Sequence, residues 1–263
     1  MQSLDLYAKI EPLIGFYEAY EELYDEYEKI ISEIKPKTLL DVGCGNGNFL
    51  KRFYISSKDR FAQTASLGYP ETKSFDPYAA DVIRKQSFDE DFYIDAKGID
   101  ISPKMVEISQ KKGLNVSCKK IEEVDEKFDV ITAIADVLNY LDEDELKSFL
   151  EAVKACLNDG GYFICDINTF YGFSEVADGV MVSEDEEGFL AVEAEFLDGE
   201  LATDFTYFEK SDKCYQKHQW RIRQYYHKID KIKNLLKLSL IDTKEIKLFS
   251  DEDADKTLLV FKK

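Results

Sequence analysis

The segment Asp41-Val42-Gly43-Cys44-Gly45-Asn46-Gly47 constrains this chain more than any other, because three glycines at alternate positions directly follow the apolar run Thr38-Leu39-Leu40. Beyond it Phe49, Leu50 and Phe53 resume at helical spacing, so the segment reads as strand, glycine turn, helix. Glycines at a strand end let the backbone pass close to a ligand, and the helix start that follows presents free N–H groups. A dinucleotide fingerprint wants G-x-G-x-x-G; here the third glycine comes one residue early, so the NAD pattern fails.

Further units of the same kind follow. Ala96-Lys97-Gly98-Ile99-Asp100 reads as a strand, and Ser102 as the N-cap of a helix with Pro103 at its first position and Gly113 past its end. Phe128 to Ile134 is another strand. A helix after Asp142 carries Leu146, Phe149, Leu150, Val153 and Leu157 and is expected to stop at Gly160-Gly161, before the buried strand Tyr162 to Ile167. Near-continuous apolar strands alternating with helices predict a doubly wound, mostly parallel seven-stranded α/β sheet covered on both faces.

Three segments stand outside that alternation. Residues 4–34 are helical in pattern, with Tyr17, Tyr20, Tyr24 and Tyr27 forming a stripe, so residues 1–36 are read as N-terminal helices. Residues 54–95, rich in Tyr, Phe, Asp and Ser, fill a place where a short link would do, and read as an insertion. Across 179–226 the period changes to two, with Asp198-Gly199 as a hairpin turn, which predicts a small antiparallel β cap. A helix near 228–238 and strands near 244–249 and 256–262 then complete an α/β domain made of 37–178 and 227–263.

Composition narrows the partners. The chain has 263 residues, with 34 Lys+Arg against 53 Asp+Glu, a net charge of −19 that disfavours nucleic acid and anionic membranes. A hydrophobic share of 44% makes it a folding chain rather than a disordered acidic one. No secretory pattern opens the sequence and no apolar run could span a membrane, so a cytoplasmic protein is expected. The five cysteines include no CxxC pair, so neither a disulfide framework nor a metal site is indicated.

Taken together, four segments resemble, in order, the motifs of class I S-adenosylmethionine (SAM)-dependent methyltransferases. Asp41 to Gly47 resembles the first motif. Ala96 to Met105 resembles the second strand with its ribose-binding acid, Phe128 to Leu141 the fourth strand and its loop, and Leu157 to Thr169 the fifth strand with the Gly-Gly turn before it. The resemblance covers about 37–169 without the insertion, plus the last helix and strands, and is specific for the family but not for the acceptor.

It implies SAM as cofactor. Gly43, Cys44, Gly45 and Gly47 would line the methionine and ribose portion, and Asp41 would hold the turn and reach the amino group. Asp100 would accept both ribose hydroxyls, since a carboxylate offers two acceptors to a vicinal diol, and Ile101 would pack on adenine. The third-strand motif departs from the family pattern; Ile121 and Glu122 are the candidates there. Ala135 and Asp136 would close over the methionine end.

The acceptor side is less defined. In similar enzymes an antiparallel cap covers the active site, so the acceptor is expected between the cap, the N-terminal helices and the 54–95 insertion, with Tyr17, Asn139, Gln224 and Tyr226 as pocket candidates. Tyr7, Phe16 and Tyr17 would cover the cofactor, as N-terminal helices do in similar proteins, and the remaining Tyr stripe reads mainly as packing. His218 and His227 read as packing or surface residues. The place after the fourth strand lacks the Asn/Asp-Pro-Pro-aromatic motif of exocyclic amine methylation and the Pro-Cys pair of pyrimidine attack. A small-molecule acceptor is therefore expected. A catalytically silent SAM-binding scaffold, a protein methyltransferase and, more remotely, a nucleotide-dependent oxidoreductase are the alternatives, and oligomeric state is unreadable.

Overall fold

The structure, a computed structural model, describes residues 3–14, 17–54, 94–212 and 214–263. Nearly all of the expected insertion, residues 55–93, lies outside the described residues, as does Phe16.

Helices α1 (Ser3–Ile14) and α2 (Tyr17–Ile34) lead into β1 (Thr38–Val42), and α3 starts at residue 48 beyond the glycine turn. Then come β2 (Asp95–Asp100), α4 (Pro103–Lys111), β3 (Val116–Cys118), β4 (Phe128–Ala133), α5 (Glu143–Cys156) and β5 (Leu157–Asn168). After the cap come α6 (Ile229–Leu236), β10 (Ser239–Ile246) and β11 (Lys256–Lys262). The seven-stranded sheet runs β10-β11-β5-β4-β1-β2-β3, and β11 is antiparallel to both its neighbours.

β1 and β4 lie side by side, and the chain winds outward from them in opposite directions. The loops leaving their C-terminal ends therefore part, and in an open α/β sheet that parting makes the ligand crevice. Leu39, Leu40, Val42, Val130 and Ile131 are all buried, with alternate residues serving the two faces, which is why these strands read as unbroken apolar runs. One face packs on α5 and α6, the other on α2, α3 and α4.

Local chemistry sets the helix starts. Ser102 Oγ accepts from the Met105 N–H (3.2 Å) with Pro103 next in line, as expected. Asp142 and Glu145 form a reciprocal capping box on α5. The boundaries differ from the sequence expectation in two places: β10 spans Ser239–Ile246 where a strand near 244–249 is expected, and α5 stops short. α5 ends at Cys156 and β5 takes in Gly160-Gly161, because a Cβ at Gly161 would stand 2.9 Å from Asn158 O and 3.0 Å from Asp129 O, so only glycine passes there.

The cap is a four-stranded antiparallel sheet, β6 (Gly179–Glu184), β7 (Gly188–Leu197), β8 (Glu200–Ser211) and β9 (Cys214–Tyr225), in that order. One of its faces is apolar: Leu190, Val192, Phe205, Tyr207 and Ile222 pack on Ile10 and Leu13 of α1. Each fully buried aliphatic side chain there contributes about 1.5–3 kcal/mol. Lys9 and Glu209 pair at the edge of this contact (2.8 Å), so α1 is fastened to the cap.

Candidate active site

The glycine turn is tied to its neighbour strand through the backbone. Gly43 N–H and Cys44 N–H both donate to Ile99 O (2.8 and 3.1 Å), and Gly45 N–H donates to Asp100 Oδ2 (2.9 Å). Gly43, Gly45 and Gly47 all have positive φ, +68°, +53° and +79°. A Cβ would meet Val137 Cγ2 at 2.7 Å from Gly43 and Leu114 Cδ1 at 2.4 Å from Gly47, so those two serve packing. A Cβ on Gly45 would meet nothing within 4 Å. Gly45 is therefore the glycine that leaves space on the ligand side.

Asp100 ends β2 and is nearly buried. Its Oδ2 takes the Gly45 N–H and its Oδ1 the Ser102 N–H (2.7 Å), which fixes the carboxylate at the end of the strand. Ile101, the next residue, is 47% exposed and offers an apolar surface beside the turn.

A cavity of about 140 Å³ opens on the turn, walled there by Asp41, Gly43, Cys44, Gly45 and Asn46. Tyr7, Glu11 and Ile14 come from α1, Tyr20 and Tyr24 from α2, and Ile134, Ala135 and Tyr140 from the loop after β4; Phe49 and Met105 complete it. Among the described residues, Lys, Arg and His contribute nothing to this wall. Asn46 Nδ2 donates to both oxygens of Glu11 (2.9 Å each), which ties α1 to the glycine turn.

The electrostatics are those of a buried acidic site. Burial pushes the Asp41 carboxyl up to about 7 against one hydrogen bond from Thr132 Oγ1 (2.8 Å), and Asp100 adds to the rise. Burial likewise raises Glu11 and outweighs the lowering by Asn46 and Lys112. It raises Tyr20, Tyr24 and Tyr140 too, so these remain neutral phenols. The Cys44 thiol is pushed up, again by burial, and is not a thiolate nucleophile at neutral pH.

The loop after β4 carries backbone strain. Ala135 and Asp136 have φ of +61° and +70°, each costing about 1–3 kcal/mol for a residue with a Cβ. Their successive N–H groups converge on the buried Asp166 carboxylate, Ala135 N on Oδ1 (2.8 Å) and Asp136 N on Oδ2 (3.2 Å).

Several expected residues stand elsewhere. The Tyr17 side chain lies outside what is described, although its backbone begins α2. Asn139 is fully buried and committed to structure: Nδ2 donates to Tyr225 O (2.8 Å) and Oδ1 accepts from Asn168 N (2.9 Å). Gln224 sits opposite Leu201 in the cap, and Tyr226, just past β9, packs on Phe170 and Phe173. Neither is on the cavity wall: Ile10 and Leu13 of α1 cover the apolar face of the cap, and Tyr226 is held in a separate cluster with Phe173, Ala194 and Leu201. Ile121 is a core residue packed with the α5 face of the sheet, and Glu122 points to solvent.

Conversely, Tyr20 and Tyr24, read as packing, line the cavity alongside Tyr7, while Tyr27 is buried with its hydroxyl on Asp166 Oδ1 (2.7 Å). Their four-residue spacing was the visible signal, because it puts Tyr20 and Tyr24 on one helix face. Glu11, Met105 and Tyr140 had no comparable signal.

The comparisons with known proteins agree with this geometry. The sequence pattern of the methyltransferase-domain family matches residues 17–175, more than half of the chain. A candidate methyltransferase of Geobacillus sp. (strain WCH70) is 24% identical over 255 residues, 92% of this chain and 89% of that protein. Among similar solved structures is a SAM-dependent methyltransferase from Clostridium acetobutylicum, with TM-score 0.70 and 22% identity over 98% of this chain and 97% of that one. Another is SAM-bound CalS10, an amino pentose methyltransferase from Micromonospora echinaspora, with TM-score 0.62 and 14% identity over 98% and 96% of the two chains. A third is the sugar N-methyltransferase KedS8 from Streptoalloteichus sp., with TM-score 0.63 and 15% identity over 100% and 93%. The chain thus belongs to the methyltransferase-domain family and is a SAM-dependent methyltransferase of the class I fold.

Proposed function

We propose that this enzyme methylates a small-molecule acceptor, and that the cavity over the glycine turn receives the methionine end of SAM. The observation that carries the reading is the character of the wall: two carboxylates, four tyrosines, a glycine open on its ligand side, and no cationic side chain among the described residues. At that end SAM carries an ammonium and a sulfonium beside one carboxylate, and the acidic, aromatic wall suits the two cations. The residues present fit the cofactor.

At about 140 Å³ the cavity falls short of the roughly 300 Å³ at which pockets for drug-sized ligands begin. It suits the methionine end alone, with the ribose at Asp100 and the adenine along the open surface of Ile101. Bound SAM supplies a methyl group already activated by its sulfonium. The chain's own work is then to orient and to exclude water, which supplies much of the rate when the nucleophile stands in line with the bond that breaks. Tyr7, Glu11 and Tyr140 stand on the side of α1 and the cap, where the acceptor would enter. Glu11, raised by burial, is the wall group suited to accept a proton from an incoming nucleophile.

The small-molecule reading draws support from the net charge of −19, which disfavours nucleic acid, and from the amino pentose and sugar N-methyltransferases among the similar structures. An amine-bearing small molecule is the first acceptor to screen. Calorimetry with SAM and its demethylated product tests the cofactor site, and failure of the folded protein to bind either one overturns the reading. Labelled-methyl transfer into a metabolite extract rather than a protein extract tests the acceptor class; label in protein alone refutes it.

A further inference from the structure

Behind the cavity lies a buried charged cluster that methyl transfer itself does not require. Lys256 opens β11 at 1% exposure, and Asp166, near the end of β5, is fully buried. Lys256 Nζ donates to Asp136 Oδ1 and to Asn168 Oδ1 (2.7 Å), and stands 3.5 Å from Asp166 Oδ2. Asp166 also accepts the Tyr27 hydroxyl and the two N–H groups of the strained Ala135–Asp136 turn. None of Lys256, Asp166, Asp136 and Tyr27 is on the cavity wall.

Resting on the SAM reading above, we propose that Asp166 and Lys256 are the positioning residues of the cofactor site, holding the turn that delivers Ala135, Val137 and Tyr140 to it. Two successive residues with left-handed backbone present two N–H groups to the same side, and a two-oxygen anion is the acceptor that spans them. A buried carboxyl needs several polar partners, and Lys256, the Tyr27 hydroxyl and the two N–H groups surround this one. The turn in turn carries the site. Ala135 is on the wall, and Asn139 N–H donates to Asp136 O (2.8 Å) within the short 3₁₀ turn Val137–Tyr140. Val137 packs on Gly43, and Tyr140 reaches the wall. Releasing the carboxylate therefore shifts three contacts of the site at once.

The variant to make is Asp166→Asn in the full chain, because an amide of the same size presents one acceptor and one donor where two acceptors are required. Its SAM affinity by calorimetry is expected to fall at least about tenfold, the size of losing one charge-assisted hydrogen bond. The Ala135 and Asp136 amide signals of isotope-labelled protein should shift and exchange faster, with or without ligand. Val153→Ala, a core truncation on α5, is the control: it should lower the Tm while leaving SAM affinity at the wild-type value. If Asp166→Asn does not fold, Tyr27→Phe removes one donor without burying a new charge. It should then weaken SAM by about threefold or more and shift the same two amides. Wild-type affinity and unmoved amides in the folded variants overturn the positioning role, and so does an equal affinity loss in Val153→Ala. A wild-type protein that binds no SAM instead overturns the cofactor reading, and with it any role directed at SAM.

Discussion

Replacing Asp41 with asparagine, and titrating SAM affinity from about pH 6 to about pH 8, tests the electrostatics on which the cofactor reading depends. Asp41 is 2% exposed, and burial lifts its pKa from 3.8 to about 7. In the free protein the carboxyl is then about nine-tenths protonated at about pH 6 and about nine-tenths ionised at about pH 8. A cation that binds beside the ionised form must displace that proton first, so wild-type affinity should be about tenfold weaker at the lower pH. Stability runs the other way. A carboxyl whose folded pKa lies above its unfolded value holds more protons in the folded state, so the contribution of Asp41 to stability is greatest below about pH 4. That contribution falls by up to about 4 kcal/mol as pH rises through about 7. The amide introduced by Asp41→Asn keeps an acceptor for Thr132 and has no charge to bury. This variant should therefore raise the Tm of the free protein at about pH 8, abolish the pH step in affinity, and weaken SAM there by about tenfold. Calorimetry in buffers of different ionisation heat should show wild type releasing close to one proton on binding at about pH 6. A pH-independent wild-type affinity, or a step of undiminished size in Asp41→Asn, refutes the reasoning.

Further expectations follow from the same geometry. Asp100→Ala removes the acceptor of Gly45 and Ser102 N–H and should weaken SAM at least about tenfold; unchanged affinity moves the ribose site elsewhere. Gly45→Ala meets no atom within 4 Å, so it should cost only about 1–2 kcal/mol of backbone strain while lowering SAM affinity. Gly43→Ala, 2.7 Å from Val137, should instead lose stability by about 2 kcal/mol or more in a denaturant melt; equal stability losses would contradict the assignment of their roles. Tyr226→Phe keeps the ring packed on Phe173 and should leave SAM affinity unchanged; a tenfold loss by calorimetry would put this residue back in the site.

The strand–glycine turn–helix unit, the alternating β and α segments, the cap on α4 and the antiparallel cap sheet are all legible in the residues alone. Each of these is written in a few adjacent residues, by a period of two or of 3.6, a capping side chain or a turn dipeptide. The sequence also marked Asp41, the glycines and Asp100, whose local role in the turn is inseparable from their place at a strand end. Which side chains face the ligand was decided by tertiary structure. Tyr20 and Tyr24 carry the same helical pattern as the buried Tyr27, and only the seating of α2 against the sheet separates wall from core. Gln224 has a plausible strand face, yet α1 occupies the apolar side of the cap, a contact between segments about 200 residues apart. Asn139 looked like a pocket residue, but the paths of β5 and β9 past it bring the backbone groups that take up both ends of its amide. Lys256 and Asp166 are unremarkable one at a time. They meet because β11 returns antiparallel beside β5, and burial then turns two ordinary ions into the anchor of a strained turn.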